Sequence, residues 1–237
     1  MTRRRWIADE FDVNRAALTG QHAAHLARVL RARVGQEFDV AAGGVLRRAR
    51  VTGVGDDRVE FELGEEVESA SQLEVAMILA VFKFDRFEWA VEKCTELGAT
   101  RIVPVIARRT DSHLAVAAPK RVERWRRIAH ESSQQSRRVL PPAIDDPVRL
   151  KNIFHFDASE RIVLAETETN TKLRDLFDDD RREGSVALAV GPEGGWAEDE
   201  LRLFNDAGWK SASLGATILR AETAAIAALA AVRAIID

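Results

Sequence analysis

Cysteine is almost absent from this chain of 237 residues, and that scarcity excludes several structural classes. The single cysteine, Cys94, cannot form an internal disulfide, so a disulfide-stabilised secreted scaffold is excluded and a reducing cytoplasm fits better. With five scattered histidines, one cysteine also makes a structural zinc site improbable, and we expect no bound metal. A folded protein is nevertheless expected, because 46% of the residues are hydrophobic and 31% are charged.

Long apolar runs are missing as well, so no membrane-spanning segment is expected. The basic start of the chain, Met1–Trp6, is not followed by an apolar stretch and therefore does not resemble a secretory signal. From these two absences we expect a cytoplasmic protein without a membrane partner.

Positive charge is distributed unevenly, although the net charge is only −3. Residues 1–50 contain ten arginines and five acidic residues, whereas residues 51–75 contain one arginine and eight acidic residues. A second basic cluster extends from Lys120 to Arg138. Arginine blocks separated by an acidic stretch indicate a localised anion-binding face, and we expect the arginine-rich N-terminus to bind nucleic acid.

The first seventy residues predict a small β-barrel-like domain. Apolar and polar residues alternate in three short runs, which are separated by glycine-rich or aspartate-rich turns: 34–40, 45–54 and 58–63. One helix, about His22–Ala32, fits the same region, with Leu26, Val29 and Leu30 on one side. A polar, acidic segment, 65–72, then separates this domain from the rest of the chain.

From Leu73 onward, strand-like runs alternate with helical segments, which predicts a mostly parallel sheet covered on both faces. The predicted strands are 73–82, 101–106, 161–165, 185–190 and 209–213. The predicted helices are 85–97, 120–135, 198–207 and 221–236. The last helix has no charge between Thr223 and Val232, so it is either a central helix of one domain or a subunit interface. We expect the interface and a homodimer.

The most informative motif is the glycine loop, Gly191–Gly195, whose sequence is Gly-Pro-Glu-Gly-Gly. It directly follows an apolar strand, and ligands of open α/β sheets bind beyond the carboxyl ends of the strands. Glycines there let backbone groups approach a ligand closely. The loop matches neither a dinucleotide-binding nor a triphosphate-binding pattern.

A second loop, Leu214–Ala224, repeats this arrangement between a short strand and the last helix. Its Arg220 is notable because a cation at a helix N-terminus is unfavourable unless it faces an anion, whereas Glu222 suits the helix dipole. Two further motifs are the helical segment Lys83–Gly98 and the basic helix end Gln134–Pro141.

Together these four motifs resemble the RsmE family of ribosomal RNA methyltransferases, and the resemblance covers nearly the whole chain. In the front domain it rests on His25–Arg31 with Gly35 after it. In the rear domain it rests on Lys93–Gly98, Gly191–Gly195 and Leu214–Ala224.

The resemblance implies a SPOUT-type, mostly parallel α/β sheet with a C-terminal trefoil knot (residues 73–237), preceded by a PUA-like RNA-binding β-barrel (residues 1–70). It implies S-adenosylmethionine as methyl donor and N3 of a uridine in 16S ribosomal RNA of the small subunit as acceptor. The donor site would comprise three loops with these residues: Leu164, Ala165, Glu166, Gly191, Pro192, Glu193, Gly194, Gly195, Leu214, Gly215, Ile218 and Leu219. The residues expected to bind RNA are Arg3, Arg4, Arg5, Arg28, Arg31, Arg137 and Arg138.

Two catalytic candidates follow from the chemistry of that reaction. Negative charge develops on the uracil oxygens, and Arg220, beside a donor loop, would supply a fixed cation. Glu222 is either the proton acceptor or a structural cap. One departure from the family is Gln134, where the family usually has glutamate. Competing hypotheses are a non-catalytic RNA-binding assembly factor, an enzyme acting on a small metabolite, and a SPOUT enzyme that methylates another RNA nucleotide.

Overall fold

The computed structural model describes residues 5–67, 73–136, 138–177 and 184–236. The chain divides into two compact units. The first comprises Met1–Ser71 together with Ser133–Pro141, and the second comprises Gln72–Ser132 together with Pro142–Asp237. The sequence indicated a change near residue 70, but not that a segment from the middle of the chain belongs with the first unit.

The first unit contains a six-stranded sheet. Its strands are β1 (Arg5–Ile7), β2 (Glu10–Phe11), β3 (Arg15–Thr19), β4 (Glu37–Ala42), β5 (Val45–Val54) and β6 (Arg58–Glu66), in the order β1-β4-β5-β6-β3-β2. All neighbours are antiparallel except β1 and β4. Between β1 and β2, the Ala8 amide donates to Ala41 of β4 at 2.8 Å and the Asp9 amide donates to Ala17 of β3 at 3.0 Å. Residues 8 and 9, which connect the two edge strands β1 and β2, therefore hydrogen-bond to β4 on one side and to β3 on the other. The sheet closes on itself in this way, and the expected β-barrel is confirmed.

The predicted helix of the first unit has an unusual form. A short α-helix, α1 (Gly20–Ala24), continues directly into a π-helical turn over His25–Val29, in which the Leu30 amide donates to the His25 carbonyl at 3.1 Å. Arg31 follows in a left-handed conformation, with φ of 53°. Wide helical turns and left-handed non-glycine residues are energetically costly and concentrate at functional sites.

The second unit is a seven-stranded parallel sheet covered by helices. Its strands are β7 (Glu74–Ala80), β8 (Arg101–Ile106), β9 (Ala143–Ile144), β10 (Val148–Arg149), β11 (Glu160–Leu164), β12 (Ser185–Val190) and β13 (Lys210–Ala212). The order is β10-β8-β7-β12-β11-β13, with β9 also paired to β8. The helices of this part of the chain are α2 (Phe84–Glu96), α3 (Ser112–Ala117), α4 (Val122–Gln135), α5 (Glu198–Asp206) and α6 (Ala221–Ile236). The predicted α/β class is confirmed, whereas the knot stays a prediction.

Both faces of this sheet are buried, which explains why the central strands β7 and β12 are almost continuously apolar. On β7, Val75 and Met77 belong to a core that includes residues of α2, α4 and α6, whereas Ala76 and Ile78 belong to a second core on the opposite face. Cys94 lies fully buried in the first of these cores, and burial raises the pKa of its thiol to about 12. The thiol is therefore a packing group rather than a nucleophile.

Helix α6, which carries no charge between Thr223 and Val232, is buried along one side within its own unit. Ala225, Ala228 and Leu229 are fully inaccessible to solvent. The buried guanidinium of Arg233 donates to the carbonyl of Gly98, in the turn that follows α2. In the part of the chain that the structure describes, neither α6 nor any other helix has the length and apolar character of a membrane span.

Candidate active site

A cleft lies beyond the carboxyl ends of β11, β12 and β13. Because these strands are parallel, the three loops that follow them meet at one edge of the sheet. The empty space among the loops is about 960 Å³, including the part that is open to solvent.

All twelve residues that the sequence predicted for a donor site line this one cleft. Leu164, Leu214, Ile218 and Leu219 contribute apolar side chains, and Gly191–Gly195 contributes backbone. The structure therefore brings together three segments that are far apart in the sequence.

The glycine loop needs its glycines for two separate reasons. At Gly191, a Cβ atom would lie 3.2 Å from the Trp196 nitrogen and 3.3 Å from the Gly195 carbonyl carbon, and backbone atoms cannot easily move away. At Gly195, φ is +68°, and its amide donates to the Pro192 carbonyl at 2.8 Å to close a turn. Gly194 has neither constraint, because its Cβ would only meet the Arg109 side chain at 3.5 Å.

A buried carboxylate fixes the end of the glycine loop. Glu200 of α5 accepts from the Ala197 amide at 2.8 Å. Such a hydrogen bond, between a side chain in the first helical turn and the residue that precedes the helix, commonly caps a helix N-terminus. The other carboxylate oxygen of Glu200 accepts from the Arg108 amide at 2.7 Å, in the loop after β8. The glycine loop is thus held to a fourth strand-end loop by a side chain that is 5% exposed.

The other two loops of the cleft are joined to each other. The Ser213 amide donates to the Thr171 carbonyl at 2.9 Å, and the Leu173 amide donates to the Ser213 carbonyl at 3.0 Å. The loop after β11 is further shaped by Glu168, whose carboxylate accepts from the Asn170 and Thr171 amides. These backbone hydrogen bonds, that from Thr171 above all, lower the pKa of Glu168.

Arg86 connects the glycine loop with the last helix. From the first turn of α2, its Nη1 donates to Glu193 Oε1 at 3.0 Å, and its Nε lies 3.7 Å from Glu222 Oε1. Glu222 is 3% exposed, and among the described residues its Oε2 has no hydrogen-bond partner. One guanidinium therefore balances two carboxylates, one of which lines the cleft and the other of which is buried.

Comparison with known proteins identifies the family. The family model for the RNA methyltransferase domain matches residues 69–233, and the family model for the RNA methyltransferase PUA domain matches residues 18–64. Ribosomal RNA small subunit methyltransferase E of Mycobacterium bovis is 34% identical over 92% of this chain and 85% of its own length. The chain belongs to the RsmE family.

Two further relatives support this membership. The RsmE protein of Synechocystis is 31% identical over 93% of this chain and 73% of its own length. The crystal structure of RsmE from Neisseria gonorrhoeae bound to S-adenosylmethionine is 29% identical, with a TM-score of 0.81 over 98% of both chains.

Neither predicted catalytic residue of this RsmE protein is among the residues that line the cleft. Arg220 is exposed immediately before α6, and no acidic side chain of the described residues pairs with it. Glu222 lies near Arg86 instead, while its helix neighbours Ala221 and Ala224 line the cleft. The catalytic roles of both stay predictions.

Arg109 was missed from the sequence although it lines the cleft. Its Nη1 donates to the Gly194 carbonyl at 2.5 Å, and it follows β8, whose carboxyl end lies at the same edge as the other loops. The rule that ligands bind at strand ends would have found it if it had been applied to the predicted strand 101–106 as well.

Some of the predicted RNA-binding arginines belong to the described part of the first unit. Arg28 and Arg31 are exposed, and Arg28 lies 3.5 Å from Asp56 in an ion pair that is open to solvent. Arg5 is half-buried on β1, and Arg138 donates to the Leu140 carbonyl at 3.1 Å. The remaining three lie outside the described residues: Arg3, Arg4 and Arg137.

Gln134, the departure from the family pattern, has a structural contact within the first unit. Its Oε1 accepts from the Ile7 amide at 2.9 Å, and its Nε2 donates to the Ile7 carbonyl at 2.8 Å. The side chain therefore pairs with β1 as a neighbouring strand would. An ionised glutamate could accept the first hydrogen bond but could not donate the second.

The ion pair between Arg86 and Glu193 is expected to support donor affinity. Arg86→Met and Glu193→Gln should each weaken binding of S-adenosylmethionine. The double variant should lose little more affinity than either single variant, which corresponds to a coupling free energy between the two residues of about 0.5–1 kcal/mol. Calorimetric titration of the four proteins measures this coupling. The matched control is Arg124 with Glu88, a 2.7 Å pair whose residues do not line the cleft. Additive effects at Arg86 and Glu193, or an equal coupling in the control pair, would contradict the role.

Proposed function

We propose that this chain methylates N3 of a uridine in 16S ribosomal RNA of the small subunit, with S-adenosylmethionine as donor. The observation that carries the proposal is the cleft at the ends of β11, β12 and β13, where twelve residues from three loops meet. A neighbour with the same fold over 98% of both chains binds S-adenosylmethionine.

The residues of the cleft suit this donor. Leu164, Leu214 and Ile218 offer apolar walls to the faces of an adenine, and the backbone of Gly191–Gly195 offers hydrogen bonds to its edge. When bound, the donor supplies a methyl group on a positively charged sulfonium. The carboxylate of Glu166, which forms no ion pair within the described residues, supplies a negative charge that such a cation favours.

The acceptor sets further requirements. The N3 nitrogen of uracil carries a proton, so it must lose that proton near the transition state while it lies in line with the methyl group. N3 is also on the Watson–Crick edge, so the base has to be unpaired and turned outward. Arg220 is exposed and has no acidic partner among the described residues, which suits a cation that meets the uracil oxygens or the RNA backbone. We propose that Glu222, being buried, positions Arg86 rather than accepting the proton.

The same proposal includes a homodimer built on α6. Thr223, Ala227, Ala230 and Ala234 are spaced by four, three and four residues and form one outward stripe of small, uncharged side chains, all exposed or half-buried. Small residues allow a second helix to approach closely. A cytoplasmic location and an assembled small subunit as the substrate are also part of the proposal.

The decisive experiment is a methylation assay on small subunits isolated from cells that lack the modification, followed by nucleoside mass spectrometry. We expect 3-methyluridine with the unaltered protein and much less with Gly194→Val, whose side chain should compete with the donor for space in the cleft. Formation of 5-methyluridine or of a ribose-methylated nucleoside would contradict the assigned acceptor. Donor binding without any methylated product would instead favour a non-catalytic assembly factor.

A further inference from the structure

Two charged side chains flank the glycine loop without an ionic partner. The Glu166 carboxylate lies 3.8–3.9 Å from the position that a Cβ of Gly195 would take, and the Arg109 Cδ lies 3.5 Å from the corresponding position of Gly194. Both side chains line the cleft and both residues are exposed. Within the described residues, neither forms an ion pair, although they stand beside consecutive glycines.

Pairing is otherwise common around this loop. Glu193, one residue before Gly194, is paired with Arg86, and Arg108, one residue before Arg109, is paired with Asp199 at 2.6 Å. Arg109 uses one of its five N–H donors on the Gly194 carbonyl, which fixes the guanidinium beside the loop and leaves the other donors for a ligand. Glu166 likewise keeps its carboxylate available.

A fixed guanidinium and a separate carboxylate match an α-amino acid zwitterion. The planar fork of arginine binds a carboxylate in two parallel hydrogen bonds, and a carboxylate accepts from an ammonium group. We propose that Arg109 holds the carboxylate, and Glu166 the ammonium group, of the amino-acid end of the methyl donor. This inference rests on the proposed function.

The two charges together favour this ligand over an RNA phosphate. A lone arginine beside the cleft would suit a phosphate equally well. A carboxylate beside the next residue of the same loop repels a polyanion, however, while it attracts the ammonium group of a zwitterion. Glu166 is therefore the feature that selects between the two occupants.

The test uses two stable ligands that share the adenosine part. S-adenosylhomocysteine carries the amino-acid end, and 5′-methylthioadenosine lacks it. Calorimetric titration of Arg109→Gln and of Glu166→Gln should show affinity for S-adenosylhomocysteine reduced roughly tenfold, as for the loss of one charge-assisted hydrogen bond. Affinity for 5′-methylthioadenosine should stay unchanged. The controls are Arg127→Gln and Glu131→Gln, exposed residues of α4 that do not line the cleft.

The outcomes separate this inference from the function on which it rests. If the unaltered protein binds neither ligand, the proposed function itself fails. If the affinities for both ligands fall equally in the variants, the two residues only shape the loop and the inference is overturned. Unchanged binding of S-adenosylhomocysteine with a reduced rate on small subunits would assign Arg109 to the RNA and would overturn it too. Partial recovery of affinity in Arg109→Lys and Glu166→Asp, which keep the charges, is expected.

Discussion

Gly194→Val is expected to weaken binding of S-adenosylmethionine by roughly a hundredfold and to leave the unfolding temperature nearly unchanged. A Cβ at this position would be in ordinary contact with the Arg109 side chain, at 3.5 Å, so the protein itself can accommodate it. The added methyl groups would occupy space in the cleft that the ligand needs. Overpacking a fitted site costs about 1–3 kcal/mol, and the upper end corresponds to that loss of affinity. Titration calorimetry and thermal unfolding of the same samples measure both quantities.

Gly194 is a sharper test than the other glycines of the cleft. At Gly215, φ is +130°, a conformation that a valine rarely adopts, so Gly215→Val would also strain the loop. At Gly191, a side chain would collide with backbone and would disrupt the turn. Gly194→Ala provides a graded control and should lose less affinity than Gly194→Val. Unchanged donor affinity in Gly194→Val would remove the glycine loop from the donor site.

The sequence predicted much of the second unit because its signals are local. The strand 185–190, the strand 101–106 and the helix 221–236 have the predicted bounds, since continuous apolar runs are typical of buried parallel strands and the alanine-rich run that follows Arg220 is typical of a buried helix. The glycine loop and the loop Leu214–Ala224 followed from the same signals, whereas the loop Leu164–Glu166 was expected only from the resemblance to the family.

Contacts between segments that are distant in the chain could not be predicted from the sequence. Gln134 pairs with Ile7 across 127 positions, and Arg86 pairs with Glu193 across 107. A surface arginine that pairs with a loop glutamate has the same local sequence as one that faces only solvent. The π-helical turn at His25–Val29 was predicted as ordinary helix, because its apolar spacing is compatible with either form.

Ala228→Glu is expected to prevent folding of the second unit or to destabilise it by more than about 4 kcal/mol. Ala228 is fully buried among Ala225, Leu229 and Val232, so a carboxylate there would lose its hydration and gain no partner. The sequence alone left open whether this part of α6 faces the core or a second subunit. Its burial shows that Ala228 faces the core of its own unit rather than the outer side of α6. Denaturant unfolding, or recovery of soluble protein, measures the effect.

Ala227→Glu, one residue earlier, should instead keep the fold and dissociate the proposed dimer. Ala227 is half-buried and is not among the side chains packed against the core, so its own unit offers room for a charge. Across a two-fold interface the substitution would bring two carboxylates together, which is unfavourable by repulsion and by desolvation. Light scattering at micromolar concentration should give a monomer mass for Ala227→Glu and a dimer mass for the unaltered protein. Ser112→Glu, which adds the same charge at an exposed position of α3, should remain a dimer. A dimer mass for Ala227→Glu, with an unaltered unfolding curve, would place the interface elsewhere than on the outer stripe of α6.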